Sequence, residues 1–274
     1  MKRAIHPIKA DLMRLHRMFP AQFGLAFMLA FGLLFGVFLK NGATLLVFGN
    51  GVYGEDIGFF WNVIDPSAPD GTFARSAFAG TSLLVPLIVC LVLLQEHSYE
   101  EGYRISSARG LARFNGALAH VLSSALIVGA AYIALCLLLF ATAIMRGGQN
   151  CTHDMLAAFL PAMLINAVLV ISVALETVTI YRITSSAVLS GAAVIIGFVM
   201  SLTLYGAYLQ SPMPSLRWIF FLPGPYLGVG CALGYSDMGQ LTLLGYGVAT
   251  SCLSVLIYAL ATCHAGGVLN GSSD

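Results

Sequence analysis

The chain has 274 residues, of which 58% are hydrophobic and only 9% are charged, and its mean hydropathy is +0.87. Soluble domains carry about 25% charged residues, so this chain has too few charges to cover a surface that faces water. The composition excludes a cytosolic enzyme and a disordered chain, and the net charge of +1 gives no overall field that attracts nucleic acid. We therefore expect an all-α, polytopic membrane protein.

Six apolar runs are long enough to cross a bilayer core, which takes about 20 helical residues. They cover residues 22–39, 76–94, 116–144, 155–176, 187–208 and 241–262. The first run follows a polar stretch and lacks a small-residue cleavage site, so we interpret it as a retained span and not as a signal peptide. Residues 21–274 are thus predicted to form one transmembrane domain with six spans.

Basic residues are unevenly distributed between the two ends of these spans. Nine lie before the first span, between the second and third, or between the fourth and fifth: Lys2, Arg3, Lys9, Arg14, Arg17, Arg104, Arg109, Arg113 and Arg182. The opposite side has four: Lys40, Arg75, Arg146 and Arg217. Because Lys and Arg favour the cytoplasmic side, we expect a multi-pass protein of the cell membrane with both termini in the cytoplasm.

Residues 1–20 form a separate predicted unit. Apolar residues recur every three or four positions, with basic residues between them: Ile5, Ile8, Leu12, Leu15 and Met18. This pattern predicts an amphipathic, interfacial helix on the cytoplasmic face, ended by Pro20. The alternative is a solvated basic tail.

Two long segments lie on the outer side. Asn41–Arg75 is rich in Gly, Pro and Asp and contains the aromatic cluster Phe59, Phe60 and Trp61. Gln210–Gln240 is more apolar, and a Pro-Gly-Pro sequence at 223–225 breaks any helix there. A broken apolar segment between two spans predicts a re-entrant element before the last span. An ordinary interfacial loop is the alternative.

The soluble segment Gln95–Asn115 carries both signs of charge in a short stretch. Acidic residues come first and basic residues follow, an order that suits a helix dipole; they are Glu96, Glu100, Glu101, Arg104, Arg109 and Arg113. Gly102 and Gly110 bracket a short element. We expect it to protrude into the cytoplasm as one or two helical turns. The alternative is a solvated connector whose charges only set the topology.

No charged residue lies at the centre of any predicted span. Glu176 comes at the cytoplasmic end of the fourth, and His120, a turn or two inside the third, is predicted to be a hydrogen-bonded packing residue. An ionisable group at mid-membrane is typical of ion pathways and proton relays. Its absence argues against a secondary transporter, a pump or a charge-selective channel.

Motifs for nucleotide, metal or catalytic chemistry are missing from the sequence. No phosphate-binding Gly-x-x-x-x-Gly-Lys-Ser/Thr occurs, and Gly-x-Ser-x-Gly is absent too. The six cysteines and six histidines show no spacing of a metal site. We therefore expect no catalytic residues, no metal and no cofactor in this chain.

The charged segment resembles the loop after the second span of type-2 ABC transporter permeases. That loop has an acidic stretch, a Gly, an Arg-bearing helical turn, a second Gly or Pro and a final Arg. The matching residues here are Glu96, Glu100, Glu101, Gly102, Arg104, Gly110 and Arg113, with Arg109 in the same turn. The layout is also similar to this family: an amphipathic N-terminal helix, six spans, internal termini and a broken segment before the last span.

The resemblance implies the permease subunit of an ATP-driven exporter. Its partners would be separate ATP-binding cassette ATPase subunits, which hold ATP and Mg, and a second permease copy or a related permease within the membrane lipid. The residues of the charged loop would contact the ATPase, and the second and fifth spans would line the path. In the fifth span, small residues at helical spacings would line this path or pack against another helix: Ser186, Ser190, Gly197 and Ser201.

The uncharged interior of the predicted spans suggests a hydrophobic or amphipathic cargo. A different class of function stays open: a membrane-embedded enzyme, or an integral scaffold without transport. An enzyme would need His, Asp or Glu clustered at one membrane face, whereas the outer acids are spread over four places.

Two of the six cysteines, Cys151 and Cys231, fall in the predicted outer loops. The outer face is the compartment in which disulfides persist. A bridge between them would join the two loops that precede the fourth and sixth spans. Two unpaired thiols are the alternative, because a bridge requires the two Cα atoms to lie within about 7 Å.

Overall fold

A computed structural model describes residues 43–49, 56–61, 85–96, 113–147, 153–230 and 239–270, with the isolated positions Met13, Gln22, Ala26 and Ala30. The elements in chain order are β1 (Ala43–Gly49), β2 (Asp56–Trp61), α1 (Val85–Glu96), α2 (Arg113–Gly147), α3 (His153–Thr184), α4 (Ala187–Gln210), a 3₁₀ helix (Pro214–Phe221), α5 (Pro223–Gly230) and α6 (Gln240–Asn270).

Four of the helices are long and apolar enough to cross a membrane. The qualifying stretches are Leu118–Leu138, Phe159–Thr184, Ala187–Tyr208 and Leu241–Thr262. They confirm the long apolar helices predicted over 116–144, 155–176, 187–208 and 241–262. The predicted first span lies outside the described residues except for helical positions 22, 26 and 30, and the second is described only from Val85 onward. Residues 1–20 lie outside them except for Met13.

Strands β1 and β2 are the departure from an all-helical chain within the described residues. They pair antiparallel from Ala43 opposite Trp61 to Gly49 opposite Asp56, with an irregularity between Thr44 and Leu46. The aromatic cluster of Phe59, Phe60 and Trp61 therefore lies in β2. The hairpin contacts α4, and β2 also contacts α5, which places it beside the broken segment.

Helix α3 is the central helix of the described bundle and the most enclosed of the four candidate spans. It packs against α2, α4, α5 and α6. Its contacts with α6 show that the two helices run parallel: Gly247 lies against Val168, and the Thr179 hydroxyl donates to the Ser254 carbonyl at 3.0 Å. A Cβ atom on Gly247 would come within 2.8 Å of Val168 Cγ1, so glycine permits this close approach.

Helix α3 extends beyond the predicted fourth span. We placed the end of that span at Glu176, but α3 continues to Thr184. Half of the eight residues from 177 to 184 are hydrophobic and none is Gly or Pro, so one acidic side chain does not stop the helix. The chain turns at Ser185, which adopts φ 54°, and Ser186 then caps α4. Glu176 consequently lies within the apolar stretch and not at its boundary.

Candidate functional site

A buried contact joins α1 to α2 where the charged segment begins. Glu96 is the last residue of α1, and its Oε1 lies 2.5 Å from Nε2 of His120 in α2. Glu96 is 2% exposed and His120 is fully buried. Their carboxylate and imidazole satisfy each other away from water, as the sequence analysis predicted for His120. The start of the charged segment is thereby held against the membrane helices.

Three further buried oxygens lie near this pair in sequence without a hydrogen-bond partner in the described structure: Oε1 of Gln95 and the hydroxyls of Ser123 and Ser124. Ser123 and Ser124 are three and four residues from His120, and therefore share its side of α2. Other buried hydroxyls of the bundle donate to a carbonyl three or four residues earlier, as Ser172, Thr177 and Thr262 do. These buried polar atoms close in sequence to the Glu96–His120 pair are thus not satisfied by such backbone pairing.

Of the residues predicted to contact the ATPase, the structure describes Glu96 and Arg113. Glu96 is buried in the α1–α2 contact, so its carboxylate lies inside the bundle and not on the cytoplasmic surface that we expected. Arg113 is the first residue of α2. The remaining members lie outside the described residues: Glu100, Glu101, Gly102, Arg104, Arg109 and Gly110.

The small residues predicted along the fifth span have different surroundings in α4. Ser186 is the N-cap, and its hydroxyl accepts from the Leu189 N–H at 3.3 Å. Ser190 is fully buried and donates to the Ser186 carbonyl at 2.7 Å. Gly197 has open space where a Cβ would stand. These three residues therefore do not form one continuous contact surface within the subunit.

Ser201 is the member of this set that α5 contacts, whereas Ser190 lies 2.8 Å from the Thr184 hydroxyl at the end of α3. The Ser201 hydroxyl accepts from the Gly224 N–H at 3.1 Å and donates to the Phe198 carbonyl at 2.8 Å. A Cβ on Gly224 would lie 2.6 Å from the Leu202 nitrogen. Only glycine fits this position, so the middle of the Pro-Gly-Pro sequence fixes the start of α5 against α4.

Aromatic side chains connect the broken segment to α6. The rings of Tyr226 in α5 and Tyr246 in α6 stack with centroids 3.6 Å apart and an interplanar angle of 8°. Their hydroxyls donate to the carbonyls of Phe220 and Phe221 at 2.8 and 3.4 Å. Burial raises the pKa of the Tyr226 hydroxyl, which keeps it a neutral donor.

Glu176 is an ionisable residue inside a candidate span, which corrects the expectation that such residues lie only at span ends. It lies eight residues from Thr184, or about 12 Å along the helix. The side chain is partly exposed and forms no ion pair with a described residue. An ionisable side chain therefore lies within the stretch of α3 that is apolar enough to cross a membrane.

The cysteine pair predicted to form a bridge, Cys151 and Cys231, lies outside the described residues. Cys90, Cys136 and Cys252 are free thiols. Within the described ranges, no three His, Cys, Asp or Glu side chains come together in a group that could hold a metal ion.

Comparison with known proteins identifies no relative: no family model, no curated protein and no solved structure matches this chain.

Proposed function

We propose that the chain is the permease subunit of an ABC exporter in the cell membrane. In this proposal it has six spans, an interfacial N-terminal helix and cytoplasmic termini. It moves a hydrophobic or amphipathic cargo with energy from ATP that separate ATPase subunits hydrolyse with Mg. A second copy or a related permease completes the path through the lipid bilayer.

The observation that supports this proposal best is the buried Glu96–His120 contact, 2.5 Å long, at the end of α1. The charged segment follows α1 directly and leads into α2. A force that a partner applies to the segment would therefore reach two membrane helices through a hydrogen-bonded joint. ATP hydrolysis in the partner subunits and movement of α1 and α2 would be coupled through the Glu96–His120 contact.

The broken segment agrees with the proposed layout. Gly224 lies against Ser201, which is seven residues before the end of the apolar stretch of α4 at Tyr208. Seven residues correspond to about 10 Å of helix. In the proposed topology, the start of α5 therefore lies about 10 Å inward from the outer end of α4, as expected of a re-entrant element. The parallel helices α3 and α6 would cross the membrane in the same direction.

Charge reversal in the segment tests the coupling. In the double variant Glu100→Lys/Glu101→Lys, like charges would meet where opposite charges are expected, which costs several kcal/mol across an interface. We expect stimulation of the partner ATPase by the permease to fall at least about tenfold, with normal membrane insertion. The control is Glu55→Gln/Asp56→Asn in the predicted outer segment. Unchanged assembly and stimulation in the double variant would argue against this docking site.

A further inference from the structure

The 3₁₀ helix Pro214–Phe221 has a buried side and an exposed aromatic side. A 3₁₀ helix has about three residues per turn, so side chains at i and i+3 lie directly above one another. One such row contains Ile219, which is fully buried, and Leu222, which is half-buried. The next row contains Trp218, which is 50% exposed, and Phe221, which is 84% exposed. Two large aromatic side chains therefore share a face that the bundle does not cover.

Aromatic contacts fix the level of this 3₁₀ helix along α4. The Phe220 ring meets the Tyr208 ring edge-on with centroids 5.4 Å apart, and the Tyr205 ring at 6.0 Å. The Phe220 carbonyl also accepts the Tyr226 hydroxyl at 2.8 Å. Tyr208 ends the stretch Ala187–Tyr208, which is long and apolar enough to cross a membrane. The 3₁₀ helix is therefore held level with the last turn of that stretch, where a bilayer core gives way to its headgroups.

Arg217 places a positive charge beside the exposed aromatic face. Its side chain is exposed and forms no ion pair with a residue that the structure describes. The sequence has no acidic residue between Glu176 and Asp237, so α4, the 3₁₀ helix and α5 offer the guanidinium no carboxylate. Guanidinium groups bind phosphate through paired hydrogen bonds, and tryptophan is enriched at the headgroup level of membranes. A phospholipid supplies both partners, a phosphate for Arg217 and an apolar surface for the rings.

We propose that the 3₁₀ helix is a phospholipid-binding element. Arg217 binds the phosphate of an anionic phospholipid, and Trp218 and Phe221 insert beside the part of its acyl chains nearest the headgroup. The bound lipid would anchor the broken segment at the membrane surface. The site goes beyond the proposed export function and does not depend on it, because it requires only that α4 crosses a bilayer.

Tryptophan fluorescence of the full chain in nanodiscs tests the depth of the aromatic face. Trp61 and Trp218 are the two tryptophans of the chain, so Trp61→Phe leaves Trp218 alone. We expect lipids brominated near the headgroup to quench Trp218 more than lipids brominated near the bilayer centre. A second variant, Trp61→Phe/Trp218→Phe/Phe221→Trp, should give the same depth profile, because positions 218 and 221 share one row of the 3₁₀ helix.

Spin-labelled lipids test the role of Arg217. Phosphatidylglycerol and phosphatidylcholine carrying the same label at the same acyl position are each added as a minor component to unlabelled nanodiscs of the Trp61→Phe variant. We expect phosphatidylglycerol to be enriched beside Trp218 about fivefold, the effect of one basic side chain near an anionic lipid surface. Arg217→Gln should abolish the preference, and Arg217→Lys should retain part of it. The matched control Arg146→Gln, at the predicted outer end of α2, should keep it.

Several results would overturn the site. Quenching of Trp218 by aqueous acrylamide but by neither brominated lipid would place the face in water, and stronger quenching by the deeper bromines would place it below the interface. Protection from both acrylamide and lipid would show that a protein surface covers it. Equal quenching by the two spin-labelled lipids, or an unchanged preference in a monodisperse Arg217→Gln variant, would contradict the phosphate site. None of these measurements involves an ATPase, so the export function stands or fails separately.

Discussion

Gly224, in the broken segment Gln210–Gln240, has no room for a larger side chain. Its N–H donates to the Ser201 hydroxyl, and a methyl group there would collide with the backbone of α4 at Leu202. Because overpacking of this kind costs about 1–3 kcal/mol, we expect Gly224→Ala to lower the thermal midpoint of the detergent-solubilised protein. Fluorescence-detected size exclusion after heating measures the shift.

Gly197 provides the matched control on α4, since nothing lies within 4 Å of a Cβ built there. Gly197→Ala should leave the midpoint unchanged or raise it, because alanine favours a helix by up to about 1 kcal/mol over glycine. Equal midpoints for the two variants would contradict the close contact between Gly224 and Ser201.

Individual residues also show where sequence reasoning reaches its limit. Ser201 was predicted either to line the path or to pack against another helix, but its partner Gly224 is 23 residues away and cannot be inferred from local pattern. The same holds for Glu96 and His120, which are separated by 24 residues. Glu96 was assigned to a surface loop because a carboxylate is normally solvated, and only the packing of α1 on α2 reveals its partner.

At the level of elements, the predicted bounds were accurate where helix-capping or helix-breaking residues lie close to the ends of an apolar run. The apolar stretches of α4 and α6 begin and end at the predicted residues 187–208 and 241–262, because Ser-Ser, Gly and Pro stand close to their ends. The predicted fourth span ended at Glu176, before the end of α3, because the acidic residue was taken as the end of the apolar run. The hairpin of β1 and β2 was missed, since pairing between the strands is not visible in hydropathy.

The loops between elements supply a test of the proposed orientation. Cys151 and Cys231 should react with a membrane-impermeant maleimide in intact cells once a reductant has been added, since both are predicted to lie outside. Labelling before reduction would show two unpaired thiols, whereas labelling only after it would show the bridge, which on the chain-entropy model contributes about 4 kcal/mol.

Single-cysteine variants make this labelling specific. Cys252, which is inside the apolar stretch of α6, should remain unlabelled because a membrane-impermeant reagent does not enter the bilayer core. If Cys151 or Cys231 is labelled only after the membrane has been permeabilised, its loop lies on the cytoplasmic side. The proposed orientation would then be reversed.

At the scale of the whole molecule, helices α4 and α6 carry large apolar faces that the other described elements leave exposed. Large hydrophobic side chains project from α4 and α6 where these helices are not covered by α3: Val188, Leu189, Ile196, Met200, Leu241, Leu253, Leu256 and Leu260. Lipid suits such faces, and so would the second copy that the proposed function requires. The composition of the chain predicted this membrane character, but it cannot specify which faces meet lipid and which meet protein.

The central claim is that this chain works with a separate ATPase, and purification from its native membrane tests it most directly. The affinity-tagged chain, extracted in mild detergent at natural expression level, should bring down an ATP-binding cassette protein in near-stoichiometric amount. The complex should hydrolyse ATP with Mg, and a Walker-lysine variant of the captured partner should abolish that hydrolysis. Recovery of the intact, monodisperse chain without any ATPase, reproduced after crosslinking in the membrane, would contradict the account.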